Sequence, residues 1–360
     1  MHATQPARVL QIGLGARGRM WARIVQTSRM AQPAAYVEPR PEARQQAQAE
    51  SLRAAGVSGG ASEAPVIPDL DAALRTVEAD LALVVTPPEG RRELIQALLA
   101  RGLHVLAEKP LALSFSDALA VVSSAEEAER QLGVVQNFRY MPSSRALRER
   151  VQSRRYGQPT SATVLYVRNR DGMAPRLNKY PLVIDHPMLL EQSIHHLDLL
   201  RFVYDAEPQA VSCVEWNPSG SMYRGDACAA ALIQMQGGLA VTYHGTWVSG
   251  SDAMAFHWRT DFERGVLIQR ELFGDLVEGG VTDTALQPLS LPASEPFFSD
   301  SLALLEDFIG ACREGRLFGS SGRDHLRTLS FTLACIESAR LGQRVSIGEF
   351  AGRHHPETVA

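Results

Sequence analysis

"VLQIGLGARGRM", residues 9–20, lies near the start of the chain and decides its fold. The apolar run Val9–Ile12 precedes three glycines, Gly13, Gly15 and Gly18, and a helical stretch follows. Glycines at this spacing between a strand and a helix are the fingerprint of a dinucleotide-binding turn. The first makes the tight turn, the second lets the backbone approach the pyrophosphate, and the third lets helix and strand pack closely. The stretch therefore predicts a bound dinucleotide.

An acidic residue after the second strand indicates which dinucleotide is bound. Glu38 stands 20 positions after Gly18, where a carboxylate is expected to accept the ribose hydroxyls. Because a carboxylate repels a 2′-phosphate, Glu38 favours NAD, whereas the nearby Arg40 leaves NADP open. The helix that opens at Ala16 and Arg17 would offer its unpaired N–H groups to the phosphates.

The order of predicted elements divides the chain into two halves. Up to residue 136 short apolar runs alternate with helical stretches, which predicts a parallel sheet covered on both faces. Strand candidates then follow one another, and Gly237-Gly238 marks a hairpin, which predicts a mostly antiparallel sheet. We therefore expect an α/β fold with an N-terminal Rossmann dinucleotide-binding domain, 1–136. An α+β substrate-binding and oligomerisation domain with a large open sheet, 137–360, should follow, and its C-terminal helices could pack back on the first.

Composition restricts the function classes. The chain has 360 residues, of which 45% are hydrophobic and 21% charged, as in ordinary globular proteins. Its net charge of −4 with no basic block argues against nucleic acid, since phosphate binding needs clustered Lys and Arg. Its four cysteines form no CxxC pair and indicate free thiols. With no signal peptide and no membrane-spanning run in the sequence, we expect a cytoplasmic protein without a membrane partner.

Two further stretches point to the chemistry. The first comprises VVTPPE, 84–89, and LAEKPL, 106–111, and the second is EQSIHHLD, 191–198. Together with the glycine turn and the sheet-rich second half, they resemble the glucose–fructose oxidoreductase / inositol dehydrogenase / MocA family, over essentially the whole chain. The resemblance implies an NAD(P)-dependent dehydrogenase. Such an enzyme transfers a hydride between a nicotinamide cofactor and a CH–OH group of a sugar, polyol or related hydroxy compound.

The resemblance also assigns catalytic residues. Oxidation of a secondary alcohol needs a base for the hydroxyl proton and a cation near the developing alkoxide. The family pattern places the base at His195 and the cation at Lys109. Its supporting Asp is replaced by Glu191, which a spacing of four puts on the helical face of His195, and its helix Gly is replaced by Ser193. His196 is expected to be packed against the sheet or solvated.

The remaining site predictions concern the cofactor and the substrate. The resemblance assigns cofactor contacts to a turn against the nicotinamide ribose and to the residues around the catalytic lysine, namely Thr86, Pro87, Glu108 and Lys109. Arg139, Tyr140 and Arg168 are candidate substrate residues, with a surface or sheet position as the alternative. The polar segment 169–187 is expected to be a loop that borders the substrate cleft.

Two other functions stay open. One is the same fold with tightly bound, internally recycled NAD, as in a sugar oxidoreductase or an NAD-dependent glycosidase. The other is a non-catalytic nucleotide-sensing protein, for which the changes at Glu191 and Ser193 would be the first signs. The retained Lys109 and His195 argue against a sensor, because a sensor needs no base beside an alkoxide stabiliser.

The sequence also sets expectations for metals and partners. Asp185-His186 and His195-His196 form no metal-ligand motif such as HExxH, so no metal is expected. The expected partners are a small-molecule substrate and further copies of the chain. An open antiparallel sheet leaves one face without helices, and such a face is normally covered by another subunit, which predicts a homodimer or homotetramer.

Overall fold

The computed structural model describes residues 5–46, 64–171 and 180–354, which form two compact units. One comprises Met1–Asn137 and Phe297–Leu326, and the other Phe138–Pro296 and Arg327–Ala360. The chain returns to the first unit at 297–326, a stretch that includes a C-terminal helix, and the predicted division into 1–136 and 137–360 stays a prediction. This return has a packing reason: a Cβ at Gly133 would lie 2.8 Å from the ring of the buried Phe308, and the Val134 N–H donates to the Ser320 carbonyl at 2.8 Å.

The first unit is built on a six-stranded parallel sheet with the order β3-β2-β1-β4-β5-β6. The strands are β1 (Ala7–Ile12), β2 (Ala31–Val37), β3 (Val66–Ile67), β4 (Leu81–Val84), β5 (His104–Ala107) and β6 (Leu132–Val134). Residues of the central strand β4 are all buried, as expected of a sheet with helices on both faces. The predicted Rossmann-like half is confirmed.

Helices follow the strands of this unit. They are α1 (Ala16–Thr27), α2 (Leu70–Thr76), α3 (Arg91–Ala100), α4 (Phe115–Glu127), α7 (Ser299–Glu314) and the start of α8 (Gly322–Leu341). Asp69 caps α2 by accepting from two backbone N–H groups, and Ser114 caps α4 by accepting from the Asp117 N–H. Helix α1 differs, because Gly15 at its N-terminus supplies no side-chain cap. The first-turn N–H groups of α1 are therefore not satisfied by a side chain at that position.

The second unit is built on a nine-stranded sheet with the order β14-β13-β12-β11-β7-β10-β9-β8-β15. The strands are β7 (Pro159–Val167), β8 (Pro208–Trp216), β9 (Cys228–Met235), β10 (Ala240–Thr246), β11 (Ala255–Phe262), β12 (Gly265–Glu271), β13 (Gly274–Gly280), β14 (Gln287–Pro288) and β15 (Val345–Ser346). Only β7 and β10 pair in parallel among these neighbours. Gly237 and Gly238 turn the β9–β10 hairpin with positive φ, and the predicted large, mostly antiparallel sheet is confirmed.

Helix α6 covers part of one face of this sheet. The helices of the second unit are α5 (Pro142–Gln152), a π-helix (Met188–Ser193), α6 (Ile194–Tyr204), the rest of α8 and α9 (Ile347–His354). Tyr166, Tyr243 and Phe256 on neighbouring strands are buried beneath α6. Across the part of the chain that the structure describes, no helix combines the length and apolar character needed to cross a membrane.

Candidate active site

The three glycines of the first turn have different structural roles. Gly13 has a φ of +102°, and a Cβ there would lie 2.6 Å from the carbonyl oxygen of Val85. A Cβ at Gly18 would lie 2.2 Å from the carbonyl oxygen of Gly13. Gly15 has ordinary extended geometry, and its Cβ would meet only the Arg40 side chain, at 3.6 Å. The fold therefore requires the first and third glycines, whereas the second leaves open backbone that a pyrophosphate could approach.

A buried glutamine holds this turn in shape. The Gln11 side-chain amide donates to the carbonyls of Gly13 at 3.0 Å and Gly18 at 2.7 Å. Sequence reasoning missed this residue, although a polar side chain within the otherwise apolar run Val9–Ile12 was a signal. Together with the uncapped start of α1, this geometry fits the phosphates of a dinucleotide.

Glu38 lies at the end of β2, and its carboxylate is already bonded within the loop. It accepts from the Leu14 N–H at 2.8 Å, and from the Arg40 N–H at 3.0 Å and guanidinium at 2.8 Å. Burial alone would raise the pKa of Glu38, but the bonds from Arg40 and Leu14 hold that pKa below its ordinary value. The ribose contact expected of Glu38 stays a prediction, and it requires the Arg40 guanidinium to shift.

Arg17 and Glu108, both expected at the cofactor, bind each other. Arg17 Nε donates to Glu108 Oε1 at 2.7 Å, and Trp21 Nε1 donates to the same oxygen at 2.8 Å. Burial would raise the pKa of Glu108, but Arg17 and Trp21 hold it below its ordinary value. The carboxylate therefore ties the turn after β5 to α1, and the cofactor contacts expected of Arg17 and Glu108 stay predictions.

Lys109 is buried at the carboxyl end of β5, with 9% of its surface exposed. The buried Arg91, the first residue of α3, lies behind this turn. Its guanidinium donates to the backbone carbonyls of Glu108 and Pro110 on one side and of Thr86 on the other. One side chain thus links the turns after β4 and β5. Sequence reasoning missed Arg91, because an arginine in the first turn of a helix has no distinguishing signal.

The two adjacent histidines of the second unit have different surroundings. His195, in the first turn of α6, is 7% exposed, and its ring stacks on Phe138 with centroids 4.3 Å apart. His196 is fully buried, with Nδ1 3.0 Å from the Tyr243 hydroxyl and its ring 4.9 Å from Tyr166. Burial lowers the pKa of His196 to about 3. His196 is therefore a neutral core residue packed against the sheet, as expected, and His195 remains the candidate base.

Glu191 lies in a helical segment of unexpected type. Met188–Ser193 forms a π-helix, in which a turn holds more residues than in an α-helix, so the predicted shared face of Glu191 and His195 does not follow from a spacing of four. The Glu191 carboxylate accepts a hydrogen bond from the Tyr180 hydroxyl. Ser193 accepts from the Tyr243 hydroxyl at 2.7 Å, so it ties this segment to the sheet.

The candidate substrate residues separate into two groups. Arg139 makes two hydrogen bonds of 2.6 Å to the carboxylate of Asp198 on α6, and both side chains are buried. Arg139 thus anchors α6, and its expected contact with the substrate stays a prediction. Tyr140 lies beneath the Arg145 guanidinium, 4.8 Å from the ring centre. Arg168 lies half-buried after β7 and stays a candidate substrate residue. The polar segment 169–187 is expected to border the substrate cleft, and its residues 172–179 lie outside the described part of the chain.

Comparisons with known proteins identify the family. Residues 7–136 match the model of an oxidoreductase family with an NAD-binding Rossmann fold, GFO/IDH/MocA, and residues 144–267 match the GFO/IDH/MocA C-terminal domain. The two matches together cover more than half of the chain. The chain belongs to the GFO/IDH/MocA family. The resemblance seen in the sequence is thereby confirmed, together with the oxidoreductase class and the NAD cofactor.

Similar GFO/IDH/MocA proteins include two curated dehydrogenases. D-apiose dehydrogenase of Paraburkholderia graminis is 26% identical over 84% of this chain and 81% of its own length. Inositol 2-dehydrogenase of Pseudomonas fluorescens is 27% identical over 81% of this chain and 84% of its own. An Agrobacterium radiobacter oxidoreductase solved with NAD+, L-tartaric acid and magnesium has a TM-score of 0.84 and 21% identity, and covers 95% of this chain and 99% of its own. That likeness supports the fold.

Proposed function

We propose that this oxidoreductase is an NAD-dependent dehydrogenase of a sugar, a polyol or a related hydroxy compound. The buried position of Lys109 at the carboxyl end of β5 carries the proposal. Lysine is rarely this buried, because its ammonium group is costly to remove from water. The sheet order reverses between β1 and β4, and open α/β sheets bind ligands beside the carboxyl ends of their strands at such a point.

The relatives support the substrate class. Two of them are dehydrogenases of D-apiose and of inositol, which are a sugar and a polyol. Both share with this chain more than four fifths of their length. We therefore assign a secondary alcohol of a polyhydroxy compound as the group that is oxidised.

The proposed mechanism uses three side chains. When bound, NAD would supply the acceptor for the hydride that leaves the alcohol carbon. His195 accepts the hydroxyl proton, and the Lys109 ammonium stabilises the negative charge that develops on oxygen. Glu191 orients the base, with Tyr180 holding its carboxylate. The glycine turn and the start of α1 bind the pyrophosphate.

Variants at the two central residues test this proposal. We would titrate NAD(H) and NADP(H) calorimetrically and then screen sugars and polyols by NADH formation. Lys109→Met and His195→Asn should each lower kcat by a factor of about 10²–10⁴ while NAD still binds. His257→Asn, on a strand of the second unit, is the control and should keep full activity. Full turnover in either variant would contradict the assigned roles.

The same experiment separates the alternative functions. Tight NAD binding without turnover on any substrate would favour an enzyme that recycles its cofactor, or a nucleotide sensor. A purified protein that already absorbs in the reduced-nicotinamide band would favour the recycling enzyme. No dinucleotide binding at all would contradict the proposal as a whole.

We further propose a homodimer or homotetramer assembled through the open face of the nine-stranded sheet. Val214, Trp216 and Leu232 on β8 and β9 expose apolar side chains, with 58% of Val214 and 56% of Leu232 accessible. Light scattering should show an assembly larger than one chain, and Leu232→Glu should dissociate that assembly, whereas a monodisperse wild-type monomer would contradict the proposal.

The buried free thiols of Cys213, Cys228 and Cys335 support a reducing compartment, and we propose the cytoplasm.

A further inference from the structure

Three potential metal ligands from separate segments meet in the second unit. His186 lies in the turn before the π-helix, Glu215 near the end of β8, and Asp226 just before β9. One ligand atom of each lies within 4.8 Å of those of the other two. We call these residues the 186/215/226 cluster. Because they are far apart in the sequence and form no motif, the sequence predicted no metal here.

Glu215 is the unusual member of the cluster. Only 2% of its side chain is exposed, and its Oε1 atom has no hydrogen-bond partner among the described residues. A buried carboxylate with an unpaired oxygen is costly unless a positive charge is close. This oxygen therefore points to a ligand that the described residues do not supply.

His186 lies close enough to Glu215 for both to reach one ion, which would move their ligand atoms apart by only a few tenths of an ångström. His186 Nδ1 lies 3.0 Å from Glu215 Oε2, yet it makes no hydrogen bond of acceptable geometry. Two ligand atoms on one tetrahedral zinc, each at about 2.0–2.2 Å, are roughly 3.2–3.6 Å apart. The His186 side chain is 32% exposed, so an ion can enter from solvent.

The backbone holds the cluster together. The Asp226 N–H donates to the Asp185 carbonyl at 2.9 Å, and the Met188 N–H donates to the Asp226 carbonyl at 3.3 Å. Only glycine fits at position 225, because the Cβ of any other residue would lie 2.1 Å from the same Asp185 carbonyl oxygen. The turn that carries His186 therefore lies directly against the segment that carries Asp226.

We propose that His186, Glu215 and Asp226 bind one divalent cation, with zinc as the best match and water as the fourth ligand. One imidazole and two carboxylates suit zinc better than magnesium, which prefers an all-oxygen octahedral site. The ion would fasten the turn before the π-helix, which leads to Glu191 and His195, to β8 and β9. The proposal is independent of the proposed function.

Zinc titration of the full chain tests this site. The protein is prepared without a polyhistidine tag and stripped with a chelator, and zinc chloride is added in a calorimeter at neutral pH. We expect one zinc per chain, and a melting temperature that rises with zinc concentration, since a ligand of the folded state alone stabilises it. Cobalt in place of zinc should give the visible absorption of a four-coordinate site with nitrogen and oxygen ligands.

Substitutions decide between a metal site and a simple ion pair. His186→Ala, Glu215→Gln and Asp226→Asn should each weaken zinc binding by more than about tenfold. Asp185→Asn is the matched control, because this exposed neighbour pairs with Arg224 outside the cluster, and it should bind zinc like the wild type. No stoichiometric binding in the wild type, or equal binding in Glu215→Gln, would overturn the proposal and leave an imidazolium–carboxylate pair. Magnesium binding as tight as zinc binding would overturn the assigned class of ion.

Discussion

The surroundings of Lys109 in the first unit and of His195 in the second differ in how each candidate catalytic residue is held. The turn of Lys109 is fixed through backbone carbonyls, because the Arg91 guanidinium donates hydrogen bonds to carbonyls of two neighbouring turns. The helix of His195 is fixed through side chains, by the buried pair of Arg139 and Asp198 and by aromatic packing. The first arrangement depends on loop geometry and the second on a buried charge pair.

This difference indicates what each region loses on mutation. Removal of one partner of a buried ion pair leaves an uncompensated charge, so the second unit should lose folding stability. Loosening of a turn that is held by its carbonyls should mainly misplace Lys109, so the first unit should lose activity. Substitutions in both regions can break or sharpen this distinction.

The largest effect is expected at Arg139. Arg139→Met leaves the buried Asp198 carboxylate with the Thr328 hydroxyl at 2.8 Å and the Arg201 guanidinium only at 3.9 Å, so the free energy of unfolding should fall by about 3 kcal/mol. The double variant Arg139→Met/Asp198→Leu should recover most of that loss, because it removes both charges. Urea denaturation of the single and double variants measures both values.

A control on a neighbouring element completes this test. Arg145 stacks on the ring of Tyr140 and makes no buried ion pair there, so Arg145→Met should change the unfolding free energy by less than about 1 kcal/mol. An unchanged unfolding free energy in Arg139→Met would show that the pair does not anchor α6, and the distinction between the two units would fail.

A smaller effect, on activity, is expected at Arg91. The substitution Arg91→Lys keeps the positive charge, but a lysine cannot donate to the three carbonyls in the same geometry. The turns after β4 and β5 should therefore loosen. A displacement of Lys109 by about 1 Å would lower kcat about a hundredfold. The rate is measured per molecule that binds NAD, so that a fraction of unfolded protein does not count as lost catalysis.

The adjacent arginine provides the control for that substitution. Arg92 pairs with Asp117 at the surface, and Arg92→Lys should leave kcat unchanged. If Arg91→Lys lowers only the amount of NAD-binding protein and not the rate per binding molecule, then Arg91 stabilises the fold without positioning Lys109.

The same contrast explains what the sequence could predict. The glycine turn, the Glu-Lys-Pro turn and the alternation of strands and helices in the first unit follow from local patterns, because neighbouring residues determine tight turns and buried strands. The contacts of Arg91, Glu108 and Arg139 could not be predicted, since each joins segments that are distant along the chain. The π-helix at Glu191 has the composition of an ordinary helix, and no local signal distinguishes it.

Acid sensitivity is expected from the buried His196. Burial lowers the pKa of His196 from 6.5 to about 3, so the folded protein keeps it neutral while the unfolded chain binds a proton below pH 6.5. The unfolded state is therefore favoured as the pH falls, by about 1.4 kcal/mol per pH unit from this residue. Between pH 7 and pH 5 the wild type should lose about 2 kcal/mol more than His196→Gln. Urea denaturation at the two pH values measures this difference, and an equal loss in both proteins would refute it. His257→Gln, the control, should keep the loss of the wild type.

The smallest effect concerns cofactor choice. The Arg40 guanidinium occupies the Glu38 carboxylate beside Gly15, so Glu38 repels a 2′-phosphate less than a free carboxylate would. Arg40→Ser should therefore increase the preference for NAD over NADP about tenfold, or about 1.4 kcal/mol, in the ratio of kcat/KM values. Arg44→Ser is the control, because Arg44 donates to the backbone carbonyls of Glu38 and Pro39 and not to the carboxylate. An unchanged preference in Arg40→Ser would mean that the Glu38–Arg40 pair lies away from the adenosine ribose. The acidic residue read from the sequence would then support the loop and not select the cofactor.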